Sequence, residues 1–167
     1  MPVLVIGVGN EYRRDDGAGL AAARRLGAAA GVPVMLHDGR DGTALLDAWR
    51  GAETVILFDA AQSGAAAGTM HRLDAGGEDE PSEVRRGLGA GHAPGASTHG
   101  LGVAEAIALA RALRCLPRRL IIIGIEGSRF DDGVGLSHAV ERGMDEAVAL
   151  GLHEIPEAYF DVRRAAR

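Results

Sequence analysis

Four runs of apolar, mostly β-branched or aliphatic residues stand out along the chain: Val3-Leu4-Val5-Ile6-Gly7-Val8, Val34-Met35-Leu36-His37, Thr54-Val55-Ile56-Leu57-Phe58 and Leu120-Ile121-Ile122-Ile123-Gly124-Ile125. None alternates polar with apolar positions, so the runs read as strands of a largely parallel sheet covered by helices on its faces. Between them the period becomes helical. Residues 17–30 are rich in alanine and arginine, with Leu20 and Leu26 at helical spacing, and Gly31-Val32-Pro33 stops the segment. Residues 43–49 predict a second, short helix. Val103, Ile107, Ala110 and Arg114 share one face of a third, with Ala106, Leu109 and Leu113 beside them and Pro117 closing it. Ser137 is placed to cap a fourth helix carrying Val140, Met144, Ala147 and Val148, and Gly151 is placed to end it. Residues 68–73 predict an edge strand. Residues 74–97, rich in Gly, Pro, Asp and Glu, predict a mobile lid, and residues 155–167 a fraying tail. The β-α-β-α-β order requires right-handed crossovers within one domain spanning residues 1–167.

Composition narrows the chemistry. The 167 residues are 47% hydrophobic and 25% charged, which describes one globular domain with a single core. The longest apolar runs are far short of the roughly 20 residues that cross a bilayer, and the N-terminus lacks a secretory apolar stretch, so no membrane partner and a cytoplasmic location are expected. A net charge of -5 and no basic stripe argue against nucleic acid. All 18 basic residues are arginine, which excludes Schiff-base chemistry and a P-loop lysine. The single cysteine, Cys115, forms no internal disulfide and no Cys-only metal cage, and its apolar helical setting places it in the core.

In a parallel sheet the segments that follow the strands converge on one edge, where ligands bind. Here those segments carry Gly9-Asn10-Glu11-Tyr12-Arg13-Arg14-Asp15-Asp16-Gly17, then Asp38, then Asp59, and Ser97-Thr98-His99 precedes the third helix. Asp16, Asp59 and His99 make two carboxylates and an imidazole, a ligand set for a borderline divalent cation such as nickel, zinc or cadmium with positions left open. Each has a plainer alternative: Asp15 and Asp16 as helix caps, Asp59 orienting a turn, His99 bonded to a carbonyl. Glu126 either faces the crevice or opens the loop that follows it. The remaining histidines, His37, His71, His92, His138 and His153, form no ligand pattern, and neither a His-Glu-x-x-His helix nor a Gly-x-Ser-x-Gly elbow is present. A dinucleotide-binding unit is the rival reading of the first turn. Tyr12 stands where its third glycine belongs, and Asp15 and Asp16 would repel a pyrophosphate.

Taken in order, Gly7-Val8-Gly9-Asn10, Asp15-Asp16-Gly17-Ala18-Gly19, Phe58-Asp59-Ala60, Ser97-Thr98-His99-Gly100-Leu101-Gly102 and Gly124-Ile125-Glu126-Gly127 resemble the nickel-iron hydrogenase maturation proteases over residues 1–150. The resemblance implies a three-layer α/β/α domain of the phosphorylase/hydrolase-like kind, with a mostly parallel twisted sheet. It implies an endopeptidase that removes the C-terminal peptide of the hydrogenase large-subunit precursor after nickel insertion, with Asp16, Asp59 and His99 contacting the metal. Two features depart from the family pattern: Asp16 stands where glutamate is common, and Asp38-Gly39-Arg40-Asp41-Gly42-Thr43 replaces Asp-Gly-Gly-Thr. Three ligands from three loops, with Asp16 at the positive end of a helix dipole, predict weak retention of a cation, so the nickel is expected to belong to the substrate, with zinc or cadmium able to substitute in vitro. Asp38 is the candidate for positioning or deprotonating the attacking water, and Asp16 the second candidate catalytic carboxylate. A non-catalytic, nickel-sensing chaperone of the precursor is the alternative.

Overall fold

The computed structural model describes residues 2–76 and 99–165, and the side chains of all of these except 99–101. Strand β1 (Val3–Val8) leads through a 3-10 turn (Arg14–Gly17) into helix α1 (Ala18–Ala30). Then follow β2 (Val34–His37), α2 (Gly42–Trp49), β3 (Thr54–Ala61), β4 (Met70–Asp74), α3 (His99–Ala112), β5 (Arg119–Glu126), α4 (His138–Glu154) and α5 (Glu157–Ala165). The sheet order is β2-β1-β3-β5-β4. All pairings are parallel except that of β4, which runs antiparallel along β5 at one edge.

The uninterrupted apolar runs work as two-sided strands because successive side chains alternate faces. Val3, Val5, Ile56, Phe58, Ile121, Ile123 and Ile125 pack with α1, α4 and Ile155. Ile6, Val8, Val55, Leu57, Leu120 and Ile122 pack with α2 and α3 through Leu45, Trp49, Val103 and Ile107. Helices thus cover both faces, and the three layers stand as expected. Each fully buried Leu, Ile or Phe contributes on the order of 1.5–3 kcal/mol, so neither layer is dispensable. Local signals account for several boundaries. Gly31, at φ 65°, ends α1 in the left-handed conformation that glycine adopts freely, and Asp41 caps α2 by accepting the Thr43 N–H at 2.9 Å.

Several expectations fail, two of them because packing overrides a local signal. Gly151 lies inside α4 rather than after it, because a side chain there would stand 2.7 Å from both Leu26 and Phe58; the glycine serves close helix–sheet packing. Ser137 precedes α4 but makes no side-chain cap. The fraying tail is instead helix α5, with Tyr159 and Phe160 packed onto the core beside buried Ile155. The third helix stops at Ala112. Arg114 turns left-handed at φ 54°, Leu109 and Leu113 are exposed, and Cys115 is exposed rather than buried. The lid assigned to residues 74–97 lies outside the described residues apart from its first three. Among the described residues, no helix is long and apolar enough to cross a membrane.

Candidate active site

The carboxyl ends of β1, β3 and β5 meet where the first turn folds back over them. Gly9, at φ 148°, makes that turn, and any side chain on it would collide with the Asp16 carbonyl oxygen. The Asn10 N–H donates to the same oxygen at 3.2 Å, and the Asn10 Oδ1 accepts the Tyr12 N–H at 3.0 Å. The single asparagine therefore closes the turn.

Gly19 brings the start of α1 onto the sheet. A Cβ there would lie 2.5 Å from the carbonyl oxygens of Val8 and Phe58 and 2.9 Å from the Asp59 Cα. Asp16, three residues earlier, and Asp59, on the neighbouring strand, are brought to the same edge and are both buried. The first turn and α1 have no side-chain cap, and Asp59 lies inside β3, its Oδ1 accepting the Ala60 N–H at 2.8 Å.

Asp15 joins the first turn to the loop after β5. Its buried carboxylate accepts the N–H groups of Ser128 at 2.9 Å, Arg129 at 3.0 Å and Ser137 at 2.6 Å, while its own N–H donates to the Arg129 carbonyl at 2.9 Å. Burial alone would raise this carboxyl; the three N–H groups outweigh it and hold the group below the ordinary aspartate range. Asp15 thereby staples the first turn to the β5–α4 loop. Arg14, forced to φ 48°, reinforces the joint by donating to Asp131 at 2.9 Å.

Glu126 is the last residue of β5 rather than the first of the loop that follows it. Its side chain is 1% exposed. It accepts the Ser63 N–H at 2.8 Å, the Ser63 hydroxyl at 2.9 Å and the Gly64 N–H at 3.0 Å, and the His71 Nε2 lies 2.9 Å from it. Burial pushes this carboxyl up, but the Ser63 and His71 bonds carry it below the usual glutamate range. The network ties the β3–β4 connection to the end of β5. Its one-dimensional signal was a glutamate directly after an apolar strand, with nothing in the sequence to identify Ser63 and His71 as its partners.

Asp38 stands in the β2–α2 turn with its side chain 64% exposed, accepting the Arg40 N–H at 3.0 Å. The Gly39 N–H donates to His37 Nδ1 at 2.8 Å, a role for His37 that its scattered position in the sequence did not signal. The α3 backbone approaches this turn so closely that a side chain on Gly102 would collide with the Gly39 carbonyl. His99 opens α3 three residues before that contact, and its side chain lies outside the described residues. Among the described residues, no group of three or more His, Cys, Asp or Glu side chains is disposed to hold a metal ion.

A mostly parallel α/β domain with acidic side chains gathered at the carboxyl edge of its central strands is the architecture of an α/β enzyme. Which enzyme follows from comparison with known proteins. The hydrogenase maturation protease family model matches residues 23–154. Hydrogenase expression/formation protein HupD of Thiocapsa roseopersicina is 31% identical over 166 residues, covering 97% of this chain and 71% of that protein. HoxM of Azotobacter vinelandii is 30% identical over 159 residues, covering 93% and 72%. Among solved structures, the hydrogenase maturating endopeptidase HybD from E. coli superposes with a TM-score of 0.77 at 25% identity, over 95% of this chain and 94% of that one. The NiFe hydrogenase maturation protease HybD from Thermococcus kodakarensis gives 0.73 at 31%, over 92% and 98%. The chain belongs to the hydrogenase maturation protease family and is a peptidase.

Proposed function

We propose that this peptidase removes the C-terminal peptide of a nickel-iron hydrogenase large-subunit precursor in the cytoplasm, and that it reads the nickel the precursor carries through Asp16, Asp59 and His99. The observation that carries the reading is the seating of Asp16 and Asp59, 43 positions apart in the chain, at one sheet edge by the contact at Gly19. Carboxylates and an imidazole suit nickel, and zinc or cadmium would satisfy the same donors in vitro. The ion is cargo of the substrate, and when bound it supplies Lewis-acid polarisation. The residues of this chain do the rest. The stapled turn holds Asp16 at the edge, β3 holds Asp59, and α3, whose Gly102 meets Gly39, begins at His99. Asp38, exposed to solvent beside this edge, positions or deprotonates the attacking water, with Asp16 the second candidate carboxylate.

The test mixes the protein with nickel-loaded and nickel-free precursor and follows loss of the C-terminal peptide by mass spectrometry. Cleavage of the loaded form alone is expected. Equal cleavage of both removes nickel reading, and a stable complex without mass change points to an escort. Asp59→Asn and His99→Ala should abolish processing with the circular dichroism spectrum unchanged, and Asp38→Asn should slow it by roughly 10²–10⁴-fold. Wild-type rates in all three variants would refute the site.

A further inference from the structure

The two edges of the sheet are built differently. At the β4 edge, Arg72 donates to Glu154 at 2.6 Å, Arg119 pairs with the same carboxylate, and His71 bonds Glu126. Charged, engaged side chains of this kind are how proteins discourage pairing along an edge. Among the described residues, the β2 edge has no such protection. Val34, Met35 and Leu36 are 37–42% exposed, and none of the four residues Val34–His37 is an arginine, aspartate or glutamate. In a sheet whose other parallel strands are almost wholly buried, an apolar strand left open is the exception.

The backbone of β2 shows which groups are open. The Val5 N–H donates to the Pro33 carbonyl and the Gly9 N–H to the His37 carbonyl, each at 3.0 Å. With β1 and β2 in parallel register from Val5↔Val34 to Val8↔His37, the two-residue period turns the N–H and C=O of Met35 and His37 towards β1. Those of Val34 and Leu36 face away. Among the described residues, no strand pairs with this outer side.

We infer that the free edge of β2 receives the extended C-terminal segment of the precursor as an added strand, hydrogen-bonded to Val34 and Leu36 and led by the strand's direction to Asp38. The inference rests on the proposed processing reaction. Three observations favour that occupant. A peptidase must present its substrate as extended backbone, and an open strand offers donors and acceptors at a repeat of about 6.6 Å that only another extended chain matches. The side chains along the edge are apolar on both faces, Val34 lying towards Gly27 of α1 and Met35 on the opposite side, so they suit alternate side chains of an uncharged segment. The edge is also continuous with the active site. His37 bonds the Gly39 N–H, Asp38 lies between them, and Gly39 touches the start of α3. A chain laid beside four β2 residues advances about 13 Å and arrives at the candidate general base.

The test uses nickel-loaded precursor and two edge variants. Leu36→Pro removes an N–H that faces away from β1, and proline is tolerated at such edge positions. Val34→Lys places a charge on the open edge. Each should raise KM about tenfold, the equivalent of about 1.4 kcal/mol, with kcat nearly unchanged. Independently of either substitution, amide exchange in the slow Asp38→Asn enzyme should show Val34 and Leu36 becoming protected when loaded precursor is added, whereas Met35 and His37 are protected beforehand. Wild-type cleavage accompanied by unprotected Val34 and Leu36 amides and unchanged KM in both variants overturns the inference and leaves the processing reaction standing. Protection of those amides without precursor, with a concentration-dependent dimer in sedimentation, overturns it in favour of self-pairing. Failure of the wild-type enzyme to cleave loaded precursor removes the reaction, and the inference with it.

Discussion

Asp15→Asn is the most searching perturbation of the site's architecture. The substitution keeps the shape of the side chain but leaves only one acceptor oxygen. In the native protein one carboxylate oxygen accepts the Ser128 and Arg129 N–H groups and the other accepts the Ser137 N–H. Whichever way the amide turns, its NH₂ faces at least one backbone N–H. A buried bond to a charged acceptor is worth about 1.5–3 kcal/mol, and leaving the donor unmade loses most of that. We therefore expect Asp15→Asn to destabilise the fold by about 2–3 kcal/mol, or roughly 5–10 °C in Tm for a domain of this size. Asp15→Ala, which orphans all three donors, should lose about 4–5 kcal/mol. The assay is denaturant unfolding with matched slopes, run beside precursor processing at a temperature where both proteins are folded. Processing should fall in Asp15→Asn as well, because the joint it weakens holds Asp16. A loss of stability below about 0.5 kcal/mol would refute the stapling role.

Two further predictions follow. Gly19→Ala sets a methyl group 2.5 Å from two strand carbonyls, which are backbone and yield little, so it should cost more than about 2 kcal/mol in urea unfolding and reduce processing. Glu126 and Glu154 both titrate below their ordinary value of 4.5 in the folded protein, so their contribution is complete above that pH and is lost as pH falls below it through the lowered folded values. Glu126→Gln should accordingly be less stable than wild type at pH 7, with the difference shrinking as pH falls below 4.5. A constant difference in pH-dependent unfolding would contradict the network.

What was legible in the chain and what was not divides along a physical line. Strand runs such as Leu120 to Ile125, the Gly31 stop and the residues following each strand were readable, because backbone propensity and two-sided burial act on neighbours in sequence. That Asp16, Asp38 and Asp59 lie near the carboxyl ends of β1, β2 and β3 was readable from the parallel β-α-β order. Other features need partners that are distant along the chain. Asp15 looked like a cap and is a staple, since its donors are 113 to 122 positions away. Glu126 looked like a loop residue and is an anchor, since Ser63 and His71 reach it only once β3, β4 and β5 lie side by side. Gly151 looked like a helix stop and is a packing contact, and Cys115 looked buried and is exposed, because helix geometry decides what a face meets. The α/β class and the layered order were legible because they depend on local periodicity and chirality. The backbone partners of Asp15 and, among the described residues, the exposure of the β2 edge came only with the folded arrangement, since hydrogen-bond partners and exposure are not properties of neighbours along the chain.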